Sequence, residues 1–209
     1  MISINVQNHD VVKHKSISLL GDAKVSVKLI LERINNFHIS KQYETEINRL
    51  KNLWEADVVR VTSKSDKNSL PSDSEVIGAV NRNVPKDTIV IGAAGSMPGE
   101  LHKLWKSGDV EGYHMEYGFS CMGYEIPAAI GVNLAEPDRP NVIFVGDGSY
   151  MMMNSELSTA VMMGISTTII VTDNRGFGCI NRLQKSTGSE PFNNLFKDSH
   201  HQKLPNIDY

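Results

Sequence analysis

The chain has 209 residues, 40% hydrophobic and 22% charged, with a formal net charge of −3 and no long run of Lys or Arg. Such a composition gives a globular chain with room for a sizeable core, and it argues against a nucleic-acid groove or an anionic membrane as the main partner, since both need clustered basic residues. The longest apolar runs, "TTIIV" and "NVIFV", fall far short of the roughly 20 residues of a membrane helix; the N-terminal "MISINVQNHDVVKHK" has no secretory-signal pattern, and Cys121 and Cys179 form no CxxC pair, so the expected compartment is the cytoplasm.

In chain order, "ISINV" alternates with period two and predicts a strand at residues 2–6 with no evident partner. "GDAKVSVKLILERINNF" carries Val25, Val27, Leu29, Ile30 and Ile34 in a helix-like pattern, and "KQYETEINRLKNLWEAD" reads as a polar helix. "SKSDKNSLPSDS", residues 63–74, has the Ser, Lys, Asp and Pro content of a linker. The expected division is therefore residues 1–37, a connecting helix and linker over 38–72, and a domain over 73–209.

Beyond the linker the pattern tightens. Ser72 or Asp73 caps a helix "SEVIGAVNRNV", and "DTIVIGAAG" is a short apolar strand ending in small residues. A helix "GELHKLWKSG", an extended "GYHMEYGF" and a helix "GYEIPAAIGVNLAEP" follow, the last with Pro127 in its first turn and Ala128, Ala129 and Gly131 small enough to lie against a sheet. "NVIFVG", "NSELSTAVMMG" and "TTIIVTDN" complete a strand, helix and strand. No repeat with a period of about 20–50 residues is visible. Strands alternating with helices predict an α/β fold with a doubly wound parallel sheet, and the polar tail from Gln184 leaves it incomplete.

Asp147 and Asn174 stand 27 positions apart, each just where an apolar run stops. In a parallel unit both strands deliver their carboxyl ends to one sheet edge, where folds of this type bind ligands. A carboxylate and an amide oxygen are hard donors of the kind Mg²⁺ takes alongside substrate phosphates. Gly146, Gly148 and Ser149 suit a turn whose backbone N–H groups approach a diphosphate. Taken alone, a GDG tripeptide is more often a surface turn, so the spacing to Asn174 carries the reading. The chain has neither GxxxxGK[ST] nor GxGxxG, and "DGSYMMMNSE" has too few carboxylates for an EF-hand loop.

These residues resemble the thiamine diphosphate enzymes, whose motif is GDG, then roughly 24–27 residues, then Asn. A second block, "GFSCMGYEIPAAIG" at residues 118–131, is similar to a stretch of the acetolactate synthase superfamily. The resemblance implies a thiamine diphosphate-binding fold in which Asp147, the Asn174 side chain and the Gly176 carbonyl hold Mg²⁺. It implies further that Gly148 and Ser149 face the diphosphate, with Gly95 and Ser96 as a second contact. Met122 matches the apolar residue that props the bent cofactor, with the backbone of Ser120 and Met122 at the aminopyrimidine edge. "GYHMEYGFSCMGYEIPAAIGV", with Glu125 where synthases commonly have Gly, and "DNRGFGCINRLQ" look like the branch that hydrolyses a C–C bond of trihydroxycyclohexane-1,2-dione in inositol catabolism.

That resemblance covers nearly the whole chain but only the C-terminal part of a family member, with residues 1–37 as the end of a middle domain. The glutamate that activates the aminopyrimidine would come from an N-terminal domain of a neighbouring subunit, so no acid here takes that role. The implied whole enzyme is a homo-oligomer, a dimer or tetramer, acting on a cyclic dione; a fragment this short is expected to be inactive alone. An acetolactate synthase or 2-oxo acid decarboxylase relative and a non-catalytic diphosphate-binding module are the alternatives. Among the remaining residues, Met151, Met152, Met153, Met162 and Met163 read as gap-filling core. His200 and His201 read as solvated, and Cys121 and Cys179 as packing residues rather than nucleophiles. His114 and Glu116 are candidates for substrate contact.

Overall fold

The apolar runs of the second half of the chain become a wholly parallel sheet of β3 (Ile89–Gly92), β4 (Tyr113–Met115), β5 (Asn141–Gly146) and β6 (Thr168–Thr172), in the order β4-β3-β5-β6. The computed structural model describes residues 1–64, 66, 68–199, 207 and 209. Alternation divides β3 and β5 between two cores. Val90, Val142 and Phe144 join Val58 of α3 (Lys41–Thr62), Ile77 of α4 (Asp73–Asn83) and Met97, Leu101 and Leu104 of α5 (Met97–Leu104). Ile89, Ile91, Ile143 and Val145 join Ala128 and Ala129 of α6 (Glu125–Ala135). A strand buried on both faces has no solvent side for polar residues, which is why "VIFV" is unbroken. Helices on both faces make this the doubly wound α/β sheet that the alternation predicts.

Ser72 caps α4 through a capping box: its hydroxyl accepts the Glu75 N–H at 3.3 Å while the Glu75 carboxylate accepts the Ser72 N–H at 2.7 Å. Ala128 and Ala129 are buried as expected, but Gly131 faces open space, since a Cβ there would meet nothing within 4 Å. The glycine-rich turn after β5 is already helix: α7 (Asp147–Met153) starts on the acid itself and is followed by α8 (Glu156–Met162). The expected methionine core is also corrected. Met151 and Met152 of α7, Met162 at the end of α8 and Met163 just after it are exposed and Met153 is half-buried, because the cores on the two sheet faces are filled by other side chains.

By contact the chain divides into two units, Met1–Trp54 and Glu55–Tyr209. In the first, β1 (Ile2–Asn5) does find a partner, pairing in parallel with β2 (Ile17–Leu20) across the single turn α1 (Asn8–Val11). Asp22 caps α2 (Ala23–Leu31), its carboxylate accepting the Val25 N–H at 2.9 Å, yet no residue of α2 is buried. Among the described residues, no helix is long and apolar enough to cross a membrane.

Candidate functional site

The chain enters the sheet at β3, moves outward to β4, then returns to the other side of β3 with β5. Strand order therefore reverses between β3 and β5, and the region beyond the carboxyl ends at such a reversal is where open α/β sheets bind ligands. A cavity of about 460 Å³ lies there. Gly95, Ser96, Ser120, Met122, Gly148, Ser149, Asn174 and Gly176 all line it, so eight of the nine residues expected to hold cofactor or metal converge on one space. Asp147, the ninth, is fully buried and lines an adjoining cavity with Gly148 and Gly176.

Asp147 is turned inward. Its Oδ2 accepts the Gly176 N–H at 2.8 Å and its Oδ1 lies 3.4 Å from the Asn174 N–H, so one carboxylate gathers the strand end 27 positions later. Among the described residues no Lys, Arg or His forms an ion pair with it. A buried carboxylate without a cation is costly. With the Asn174 amide oxygen and the Gly176 carbonyl, the neighbourhood offers hard oxygen donors and an uncompensated charge, which fits Mg²⁺ rather than a softer metal. Among the described residues no group of three or more His, Cys, Asp or Glu side chains could hold a metal by itself.

Asn174 Oδ1 accepts the Gly178 N–H at 3.0 Å, which fixes the amide at the start of α9 (Gly178–Ser186). Gly176 has φ of 136°, and a Cβ there would lie 2.5 Å from the Asn194 carbonyl oxygen, so only glycine fits. Gly148 is needed for a different reason from the one its sequence suggests: a Cβ would stand 2.7 Å from the Phe177 ring. Tyr209 brings its hydroxyl to 3.5 Å from Asp147 Oδ2 with its ring edge-on to Tyr150; burial first, and then the Asp147 charge, raise its phenol above the ordinary range.

The other wall comes from the loop between β4 and α6. Ser120 is held at φ of 53° and Met122 lines the cavity, while Glu116 accepts the Cys121 N–H at 2.7 Å and the Phe119 N–H at 2.9 Å. Those amides hold the Glu116 carboxyl below the usual glutamate range. Glu116 thus braces this loop and does not line the cavity. His114 does not line it either; its Nε2 lies 2.8 Å from the Tyr124 hydroxyl, beside a separate groove that includes Pro127 and Val132. Cys121 is exposed rather than packed, whereas Cys179 lies at the cavity wall. His200 and His201 lie outside the described residues.

Sequence reasoning missed an apolar wall, Phe177, Ile180 and Leu183, spaced three apart on and just before α9. That spacing was the available signal. It also missed the engagement of Ser149. Its hydroxyl accepts the Gly123 N–H at 2.7 Å and donates to Glu125 Oε2 at 2.8 Å.

Residues 93–209 match the family described as thiamine pyrophosphate enzyme, C-terminal TPP binding domain. The chain is 38% identical over 219 residues to a protein of Clostridium tetani (strain Massachusetts / E88) named 3D-(3,5/4)-trihydroxycyclohexane-1,2-dione hydrolase, with 94% of this chain and 34% of that protein covered. Proteins of the same name from Clostridium perfringens (strain 13 / Type A) and Geobacillus thermodenitrificans (strain NG80-2) are 37% and 36% identical, over 90% and 94% of this chain and 33% and 34% of their own. The chain thus spans about a third of the length of these curated relatives. A cavity at the switch point, a buried acid lining the adjoining one and the family match agree: the chain belongs to the thiamine pyrophosphate enzymes, its residues 93–209 lying in the C-terminal cofactor-binding domain.

Proposed function

We propose that the chain holds the diphosphate end of thiamine diphosphate through Mg²⁺, as the cofactor-binding part of an enzyme that hydrolyses a C–C bond of trihydroxycyclohexane-1,2-dione. The observation that carries this reading is Asp147, buried without a cationic partner and joined to Asn174 and Gly176 at one strand edge. Asp147, the Asn174 amide oxygen and the Gly176 carbonyl are the metal ligands. Gly95, Ser96, Gly148 and Ser149 meet the diphosphate, and Ser120 and Met122 orient the aminopyrimidine end. When bound, the cofactor supplies a carbon nucleophile and an electron sink for the broken C–C bond. The role of this chain is to bind, orient and exclude water.

The substrate rests on the names of the relatives, whose length this chain only partly spans. From the sequence and its resemblance alone, we propose that residues 1–37 are the end of a middle domain, that the compartment is the cytoplasm and that the working form is a homo-oligomer. No acid of this chain is assigned the activation of the cofactor. Titration with thiamine diphosphate and Mg²⁺ tests the reading: it gives a saturable signal, and ATP with Mg²⁺ does not. Saturation by ATP but not by thiamine diphosphate would make this a nucleotide site and end the proposal.

A further inference from the structure

Glu125, the first residue of α6, has no solvent exposure and, among the described residues, no basic partner. What surrounds it instead is a ring of donors from three separate segments. Oε1 faces the Ala94 N–H at 3.4 Å, two residues beyond β3. Oε2 accepts the Gly123 N–H at 3.1 Å and the Ser149 hydroxyl at 2.8 Å. The Gly123 N–H is shared with Ser149 Oγ at 2.7 Å, so carboxylate, amide and hydroxyl close a triangle. Each of the three segments also carries residues that line the switch-point cavity: Gly95 and Ser96 after Ala94, Met122 before Gly123, and Gly148 beside Ser149.

We propose that Glu125 is a positioning residue of the cofactor site, setting the spacing of the three cavity-lining segments and fixing the Ser149 hydroxyl so that the Ser149 backbone N–H is what faces the cavity. The inference rests on the cofactor reading above. Glu125 is not among the residues lining the cavity, so it acts through its neighbours and not on the substrate. A carboxylate suits the place because every neighbour is a donor; a carboxamide would set an NH₂ group against at least one of the Ala94 or Gly123 amides, and a buried donor without an acceptor is expensive. The backbone around it tolerates little adjustment, since Gly123 has φ of 87° and a Cβ there would lie 2.8 Å from Met153.

The test is calorimetric titration of thiamine diphosphate with Mg²⁺ into the 209-residue chain and its Glu125→Gln, Ser149→Ala and doubly substituted variants, alongside amide exchange of each. In Glu125→Gln the affinity falls about tenfold or more and exchange at Ala94 and Gly123 accelerates, while the β5 amides stay protected. Ser149→Ala moves affinity the same way, and the double variant is no weaker than the weaker single one, because the two share one hydrogen bond. Unchanged affinity in a folded Glu125→Gln overturns the inference and leaves the cofactor reading standing. Affinity lost only together with β5 protection reduces Glu125 to a structural residue and also overturns it. If Glu125→Gln does not fold, Ser149→Ala decides, unchanged affinity counting against. A wild-type chain that fails to bind ends both readings.

Discussion

Glu116 shows how a single half-buried carboxylate shapes the site without entering it. The Cys121 amide first, and then that of Phe119, hold its carboxyl below the ordinary 4.5, and between those amides sits Ser120 with its positive φ. A carboxyl depressed in the folded state stabilises the loop above the unfolded value and loses that contribution as pH falls through the depressed one. Amide resonances of Phe119 and Cys121 are therefore constant above about pH 4.5 and shift together below it, and Glu116→Gln removes the transition. Amides that ignore pH in this range would remove Glu116 from the loop. At this scale the placement of Asp147 and Asn174 at one strand edge was readable, because a strand end places a residue without help from tertiary detail. Glu116 and Glu125 were not readable in the same way. Their roles depend on which backbone amides arrive beside them, and the partners of Glu125 come from 31 positions before it and 24 after.

The six-residue β5 and the capped α4 are elements whose form follows from local rules. Two-sided burial fixed the first, and the Ser72–Glu75 reciprocal pair fixed the start of the second. Ser72→Ala leaves the Glu75 amide without its acceptor and costs about 1 kcal/mol. In thermal unfolding followed by Trp105, which packs edge-on against Phe144, that lowers Tm by roughly 2–4 °C. No shift would mean that the cap is dispensable. Three elements escaped local rules, each for a physical reason. β2 is four residues with every one exposed, so no alternation marks it. α7 starts on a Gly-Asp-Gly sequence that reads as a turn, and the burial of Asp147 and Ser149 makes it a helix. The wall on and just before α9 is made of Phe177, Ile180 and Leu183, which remain partly exposed, so no buried stripe marks it in the sequence.

For the molecule as a whole, the order β4-β3-β5-β6 is what turns scattered short motifs into a site. Residues 95–96, 120–122, 147–149 and 174–176 are far apart in the chain and meet because parallel strands deliver their ends to one edge with a reversal in the middle. The core on both faces of β3 and β5 gives that edge a rigid base, whereas in the unit Met1–Trp54 only Val11 is buried among the described residues. On the function proposed above, Asp147 anchors a metal-bound diphosphate at this edge. Calorimetry of thiamine diphosphate binding to wild type and Asp147→Ala, each with Mg²⁺ and with EDTA, tests it most directly. Wild type binds only with Mg²⁺, and Asp147→Ala, lacking both ligand and compensating charge, gives no Mg²⁺-dependent heat. Equal Mg²⁺-dependent affinity in the two proteins would mean that Asp147 holds no metal.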